Sequence, residues 1–292
     1  MVPAAQRPVL NAAVLGQPVA HSLSPTLHSA GYRALGLTDW RYTAHEVGAD
    51  GLADWVGERD ESWRGLSLTM PLKEVAFELA ATTTETARVT GAVNTLVRRE
   101  DLGWDAHNTD VHGIEAALAD APHEGTATVL GGGATARSAL LALAGLGVRS
   151  VRLAVRGEAR PETLRLAVHA GVAVEVVALG EWARDAGRLV VSTLPPVGAG
   201  AAAAALEGAS GRAPGGASGG RPGRELVGTT LMDVVYADWP TPLARAATAA
   251  GATVLSGLDM LVHQAAEQFR LFTGEAPPLD AMYAAGRQAL AR

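Results

Sequence analysis

The chain has 292 residues, 48% of them hydrophobic and 18% charged, enough for two domains at the usual ~100–200 residues each and far from the composition of a disordered chain. A formal net charge of −6 leaves no electrostatic footprint for nucleic acid or an anionic bilayer, so a small-molecule partner fits best. The absence of cysteine excludes a disulfide framework, a thiolate metal site and a cysteine nucleophile.

The first predicted strand, residues 12–16, leads into a helix begun by Ser24-Pro25 and closed by Gly36, with Ser24 read as the N-cap and Pro25 as the first helical residue. Strands follow at 40–43 and 65–69, and helices at 48–59 and from about 72 to 80. This alternation predicts an α/β domain with a mostly parallel sheet. Residues 91–97 run into a strand, 101–103 read as a hairpin turn, 104–108 return, and a helix at 111–119 leaves the domain.

A second α/β series has strands at 128–130, 151–155, 172–177 and 189–192, a glycine turn at 131–133, and helices at 134–146 and 161–170. It reads as a nucleotide-binding βαβαβ half. From 198 to 224 the composition turns to Ala, Gly, Ser and Pro, read as a flexible insertion with a short helix at 201–206 and a mobile surface loop over 208–224. Strands resume at 230–234 and 253–255, and the chain from Leu258 is helical. The first eight residues carry no apolar signal core, and the most apolar helical run, 138–148, is far short of the ~20 residues of a membrane span. A soluble, cytoplasmic protein is expected.

Gly131, Gly133 and Ala136 form G-x-G-x-x-A between a predicted strand and a predicted helix. In that context the glycines leave room for a pyrophosphate to reach backbone N–H groups at the helix N-terminus. The second strand ends Val155-Arg156-Gly157, with Arg160 beyond, where an acidic residue would bind the ribose 2′-OH of NAD. Arg156 and Arg160 offer cations to a 2′-phosphate instead, which favours NADP.

Of the 24 Lys and Arg residues, Lys73 alone is lysine. A guanidinium stays protonated, whereas an amine can exchange a proton, so the sole lysine is a candidate for proton transfer. Its place at the start of a predicted helix, unfavourable for a cation against the helix dipole, points the same way. Asp110, opening the helix that leaves the first domain, reads either as an ordinary N-cap or as a proton-transfer partner of Lys73. Ser22 and Ser24 beside a helix N-terminus suit a carboxylate, although capping alone also accounts for Ser24. The G-x-S-x-G at 216–220 has no strand before it or helix after it and is not read as a hydrolase elbow. The eight His residues lack ligand spacing, and no metal is expected.

Together these residues resemble the shikimate dehydrogenase family over nearly the whole chain. The matching motifs are Gly16-Gln17-Pro18 with His21-Ser22-Leu23-Ser24-Pro25, Thr69-Met70-Pro71-Leu72-Lys73, Gly91-Ala92-Val93-Asn94-Thr95, Asn108-Thr109-Asp110 and the turn at Gly131. Asp233-Val234-Val235-Tyr236 with Thr241-Pro242-Leu243, and the run from Gly257 to Ala265, continue the match. The resemblance implies reversible, NADPH-dependent reduction of 3-dehydroshikimate to shikimate, on the route to chorismate and the aromatic amino acids, by a monomer or homodimer.

It further implies a substrate domain formed by 1–109 plus 258–292 and a Rossmann-type NADP domain at 110–257. The C-terminal helices would return to the first domain. By the same resemblance Lys73 and Asp110 are the catalytic pair, and Ser22 and Ser24, assisted by Tyr236, bind the substrate carboxylate. Thr69, Lys73, Asn94, Asp110 and Gln264 bond the ring hydroxyls. Gly131, Gly132, Gly133, Ala134, Thr135, Ala136, Arg156, Arg160, Thr193 and Gly257 form the cofactor site. The chain departs from the family pattern at Ser67, where many members carry Asn, at Ser29, also usually Asn, and at Val155, which replaces an Asn before the phosphate-binding arginine. Two alternatives stay open: a relative acting on quinate or an aminoshikimate, and a non-catalytic ligand sensor on the same fold.

Overall fold

The computed structural model describes residues 8–209 and 225–291, and the chain divides into two units, Met1–Thr109 with Leu261–Arg292, and Asp110–Met260. In the first unit the order is β1 (Leu10–Gly16), α1 (Ser24–Ala34), β2 (Trp40–Glu46), α2 (Leu52–Gly57), β3 (Trp63–Leu68), β4 (Thr82–Thr83), α3 (Glu85–Thr90), β5 (Thr95–Arg98) and β6 (Trp104–His107). Their sheet runs β2-β1-β3-β5-β6-β4. The β1 pairings to β2 and β3 and the β4–β6 pairing are parallel, while β5 is antiparallel to both neighbours.

The second unit carries α4 (Asp110–Leu118), β7 (Thr126–Leu130), α5 (Ala134–Gly145), β8 (Ser150–Val155), α6 (Pro161–His169), β9 (Ala173–Ala178), β10 (Leu189–Ser192), α7 (Pro196–Ala209), β11 (Thr230–Asp233), α8 (Pro242–Ala249) and β12 (Thr253–Ser256). All five pairings are parallel, in the order β12-β11-β10-β7-β8-β9. This is the doubly wound arrangement whose strand order reverses between β7 and β10. Leu130, Val190 and Leu231 from its central strands pack with Trp182, Leu206 and Leu243, and the Trp182 indole donates to the Ala202 carbonyl at 2.9 Å.

The chain ends in α9 (Gly257–Thr273) and α10 (Leu279–Leu290). From Leu261 onward these residues belong to the first unit. Because both faces of the first sheet are covered, β1 reads as an unbroken apolar run from Ala12 to Leu15. Ala13 and Leu15 face a core with Leu66, Leu68 and Leu72, while Ala12 and Val14 face Tyr32, Tyr42, Phe269 and Phe272. Gly65 admits α9 against this second face, since a Cβ there would stand 2.0 Å from the Phe272 ring.

Several expectations change. Residues 72–80 form a turn followed by a 3-10 segment, Val75–Leu79, in place of the predicted helix. The physical reason is tertiary: the Lys73 carbonyl accepts the Val93 N–H at 2.7 Å, which takes up a main-chain acceptor that a helix would have used. Lys73 therefore lies in a turn, and the helix-dipole argument for it does not apply. Ser24 is the first residue of α1 and Leu23 is its cap residue; Ser22 Oγ accepts the Ser24 N–H at 3.3 Å, which does the work assigned to a Ser24 cap.

The predicted helix at 48–59 divides into a 3-10 turn, Ala49–Gly51, and α2. The short helix predicted at 201–206 extends over Pro196–Ala209, as an alanine-rich run with proline at its start favours. Residues 198–209 of the expected flexible insertion are thus helical. The remainder of that insertion, and the G-x-S-x-G within it, lie outside the described residues. Two helices were not anticipated, α3 and α8, each begun by a threonine whose hydroxyl accepts a first-turn N–H. No helix among the described residues is long and apolar enough to cross a membrane.

His28 is fully buried and stacks on Tyr42 with ring centroids 4.1 Å apart. Neither ring nitrogen has a hydrogen-bond partner. Burial pushes its pKa down from 6.5 to about 3, opposed only in part by the neighbouring Gln268 amide. The unfolded chain therefore binds a proton that the folded chain refuses between those values. As pH falls below 6.5, this ring should cost the fold up to about 1.4 kcal/mol per pH unit. Urea unfolding at a series of pH values from neutral into the acid range should show that slope, and His28→Phe should flatten it. Identical slopes in the two proteins would contradict this assignment.

Candidate active site

In the first unit, the carboxyl ends of β1 and β3 lie beside the amino end of β5. Loops leaving such strand ends are where open α/β sheets place their ligands. Thr69 follows β3, and its N–H donates to the Leu15 carbonyl at 2.9 Å. The Leu68 N–H donates to the Asn94 carbonyl at 2.7 Å, and the Lys73 carbonyl takes the Val93 N–H at the same distance. Main-chain bonds thus tie the turn carrying Thr69 and the half-buried Lys73 to the segment carrying Asn94.

The Asn94 side chain is buried, 2% exposed. Its Oδ1 accepts the Thr109 N–H at 2.8 Å and the Thr95 hydroxyl at 2.7 Å. Its Nδ2 donates to Thr109 Oγ1 at 3.0 Å and reaches Gln264 Oε1 at 3.5 Å. Gln264 in turn donates from Nε2 to the Leu261 carbonyl at 3.0 Å. Two expected site residues that are far apart in sequence, Asn94 and Gln264, are therefore in contact.

Ser22 and Ser24 stand at the start of α1, Ser22 half-buried and Ser24 buried. Burial pushes the Tyr42 phenol up, and the hydroxyls of Ser67 and Ser24 beside it act in the opposite direction. Tyr42 donates to Ser67 Oγ at 2.6 Å, and Ser67 donates to Gln268 Oε1 at 2.7 Å. Ser67, the departure from the family pattern, is thus engaged within the protein on both sides.

In the second unit, Gly131 follows β7 with φ +106°, and a Cβ there would stand 2.6 Å from Thr193 Oγ1. Only glycine takes this conformation without strain. Thr193 follows β10 and donates from both its N–H and its hydroxyl to the Leu130 carbonyl, each at 2.9 Å. Gly132 lies against Val155, and a Cβ on Gly133 would meet nothing within 4 Å. α5 begins at once with Ala134, Thr135 and Ala136. The reversal of strand order thus carries an open cradle at the N-terminus of a twelve-residue helix, which fits the pyrophosphate of a dinucleotide.

Arg156 and Arg160 are exposed on the segment after β8. Asp110 is buried at the first position of α4. Tyr236 is half-buried on the segment between β11 and α8. That segment is pinned at both ends by Asp233, whose Oδ2 accepts the Thr241 hydroxyl at 2.7 Å and whose Oδ1 accepts the Val235 N–H at 3.3 Å. Burial pushes the Asp233 carboxyl up, and these bonds oppose the shift. Gly257 is buried where a Cβ would stand 2.0 Å from the Val234 carbonyl oxygen, so close main-chain approach requires glycine there. Among the described residues, no group of three or more His, Cys, Asp or Glu side chains is arranged to hold a metal ion.

Sequence reasoning missed Tyr42, Thr95, Thr109, Gln268, Asp233 and Thr241 as parts of these assemblies. A signal existed for Gln268, which follows Gln264 by one i,i+4 step and so shares its helix face. Thr95 stands next to Asn94 in the quoted motif, whereas Tyr42 carried no local signal, because it reaches Ser67 only through the pairing of β1 with both β2 and β3.

A family described as shikimate dehydrogenase substrate binding domain matches residues 14–96, and one described as shikimate 5'-dehydrogenase C-terminal domain matches residues 257–285. The shikimate dehydrogenase (NADP(+)) of Synechococcus sp. (strain JA-3-3Ab) is 35% identical over 284 residues, 96% of this chain and 94% of that protein. The crystal structure of Mycobacterium tuberculosis shikimate dehydrogenase is similar with a TM-score of 0.81 at 40% identity, over 96% of this chain and 99% of that one. The Thermus thermophilus shikimate 5-dehydrogenase, solved in complex with NADP(H) and shikimate, has a TM-score of 0.77 at 33% identity, over 96% of this chain and all of that one. The chain belongs to the shikimate dehydrogenase family.

Proposed function

We propose that the protein is an NADP-dependent shikimate dehydrogenase that reversibly reduces 3-dehydroshikimate to shikimate, in the cytoplasmic route to chorismate and the aromatic amino acids. Within the family frame, one observation carries the mechanistic reading. The chain's only lysine stands on a turn bonded directly to the residue before Asn94, and Asn94 contacts Gln264. An amine able to exchange a proton and a set of amides suited to ring hydroxyls thus lie at one end of the central strands β3 and β5.

Ser22 and Ser24 bind the substrate carboxylate at the start of α1, with Tyr236 assisting. Thr69, Lys73, Asn94, Asp110 and Gln264 hold the ring hydroxyls. Gly131, Gly132, Gly133, Ala134, Thr135 and Ala136 cradle the pyrophosphate, with Thr193 and Gly257 completing that site, and Arg156 and Arg160 take the 2′-phosphate. Bound NADPH supplies the hydride that reduces the carbonyl carbon. Lys73 delivers the proton to the carbonyl oxygen as negative charge develops there, and Asp110 is the second member of the pair that holds that proton. Hydride and proton together convert C=O to CH–OH, and the reverse transfers oxidise shikimate. Fixing donor and acceptor in one geometry contributes about 7–11 kcal/mol to well-oriented reactions of this kind.

Replacing Lys73 by Ala should lower kcat by about 10²–10⁴, the usual weight of general acid–base catalysis, with a much smaller change in shikimate affinity. Steady-state kinetics and a binding titration check this. Unchanged turnover removes Lys73 from the chemistry, and a loss confined to affinity makes it a binding residue.

Arg156→Ala should raise KM for NADP about tenfold, ~1.4 kcal/mol, through loss of a charge-assisted phosphate contact. KM for NAD should stay within about twofold of wild type by the same arithmetic. Equal effects on the two cofactors would contradict the 2′-phosphate assignment.

A further inference from the structure

We propose that Gln268 is a positioning residue for the substrate site, acting through Thr95 to hold the Asn94 amide in one orientation. The proposal rests on the reading of Asn94 as a contact to substrate hydroxyls. Gln268 is 1% exposed on α9, and Ser67, Thr95 and Asn94 are likewise buried, so each polar group there must find its partner within the protein.

The donors and acceptors permit one assignment. A main-chain N–H can only donate, so the 2.8 Å contact from Thr109 fixes Oδ1 as the edge of Asn94 that faces it. Thr95 Oγ1 lies 2.7 Å from that same oxygen, so its single proton points to Asn94. Having given its proton, Thr95 Oγ1 can only accept, and Gln268 Nε2 donates to it at 2.8 Å and to the Asn94 carbonyl at 3.3 Å. The amide nitrogen of Gln268 is thereby committed, which leaves Oε1 to accept from Ser67 at 2.7 Å. Ser67 Oγ then accepts from Tyr42 at 2.6 Å. The polarity runs one way from Tyr42 to Asn94 across β2, β3, α9 and β5.

The outcome bears on the substrate. With Oδ1 occupied by Thr109 and Thr95, Asn94 turns its Nδ2 edge toward Thr109 Oγ1 and Gln264. The bond to Gln264 Oε1, at 3.5 Å, is the one most easily exchanged for a substrate oxygen. Removing the donor at 268 lets the Thr95 hydroxyl rotate, and the Asn94 Oδ1 then leans on Thr109, whose N–H stands at 2.8 Å and whose hydroxyl at 3.3 Å. The amide loosens at the edge that meets substrate, whereas the hydride and proton transfers are untouched. Gln268 therefore affects shikimate binding and leaves the chemical step alone.

The test uses neutral variants, because a carboxylate at 268 would confront the nearby His28 ring. Gln268→Met and Thr95→Val should each raise KM for shikimate about five- to tenfold, with kcat within about threefold and KM for NADP unchanged. The double variant should be no worse than the worse single one, since both changes cut the same link. Additive losses, or a fall in kcat at unchanged KM, would overturn the proposal. A second measurement needs no turnover. In ligand-free protein labelled with ¹⁵N at asparagine, the Asn94 side-chain NH₂ pair should exchange with solvent at least about tenfold faster in Thr95→Val and Gln268→Met than in wild type. An unchanged Asn94 pair sinks the proposal whatever the substrate proves to be, whereas wild-type protein that ignores shikimate defeats only the functional reading beneath it.

Discussion

A buried amide has to be satisfied from within the protein, and in the first unit that requirement falls on Asn94. Its partners come from the residue after it, from Thr109 beyond β6, and from Gln264 on α9. A segment more than a hundred and fifty residues away in the chain is thus drawn to the start of β5. Burial of Phe269 and Phe272 against the sheet supplies the larger share of the energy that seats α9, because apolar area removed from water dominates such contacts. Apolar contact alone would tolerate a helix rotated or shifted by a turn, whereas the Gln264 and Gln268 bonds admit one register.

The second unit meets a different constraint with a comparable device. Where the strand order reverses, Gly131 and Thr193 must approach closely, and glycine at φ +106° makes that approach possible. The same turn leaves the start of α5 open to an anion. Further along the sheet, the buried Asp233 carboxylate fastens both ends of the segment carrying Tyr236. In each unit a proposed site residue, Lys73 in the first and Tyr236 in the second, sits on a short segment leaving a strand end, and hydrogen bonds hold that segment in place. Such anchoring keeps functional groups on loops within a narrow range of positions.

Much of this was legible in the sequence because the signals were local. Short apolar runs marked β7, β8 and β10, and the glycine turn between a strand and a helix marked the cradle. Where the sequence misled, a distant partner had changed the local outcome. Residues 72–80 read as a helix until Val93 claims the Lys73 carbonyl, and Ser24 reads as a cap until Ser22 takes that role. The alanine-rich stretch after Pro196 read as flexible because its composition merges with the Gly/Ser run that follows, yet Ala199, Ala202 and Leu206 pack into the core with Trp182. Ser67 read as a lost substrate contact, whereas its place between Tyr42 and Gln268 depends on strand pairing and on a helix 200 residues later, which no local pattern encodes.

The reaction proposed for this protein is oxidation of shikimate with NADP. The most direct measurement follows nicotinamide absorbance while shikimate and quinate are each offered with NADP and with NAD. Shikimate with NADP should exceed every other pairing in kcat/KM by at least about tenfold. Preference for quinate or NAD would contradict the specificity assigned to Ser22, Ser24, Arg156 and Arg160, and no turnover in any pairing would contradict the catalytic assignment of Lys73 and Asp110.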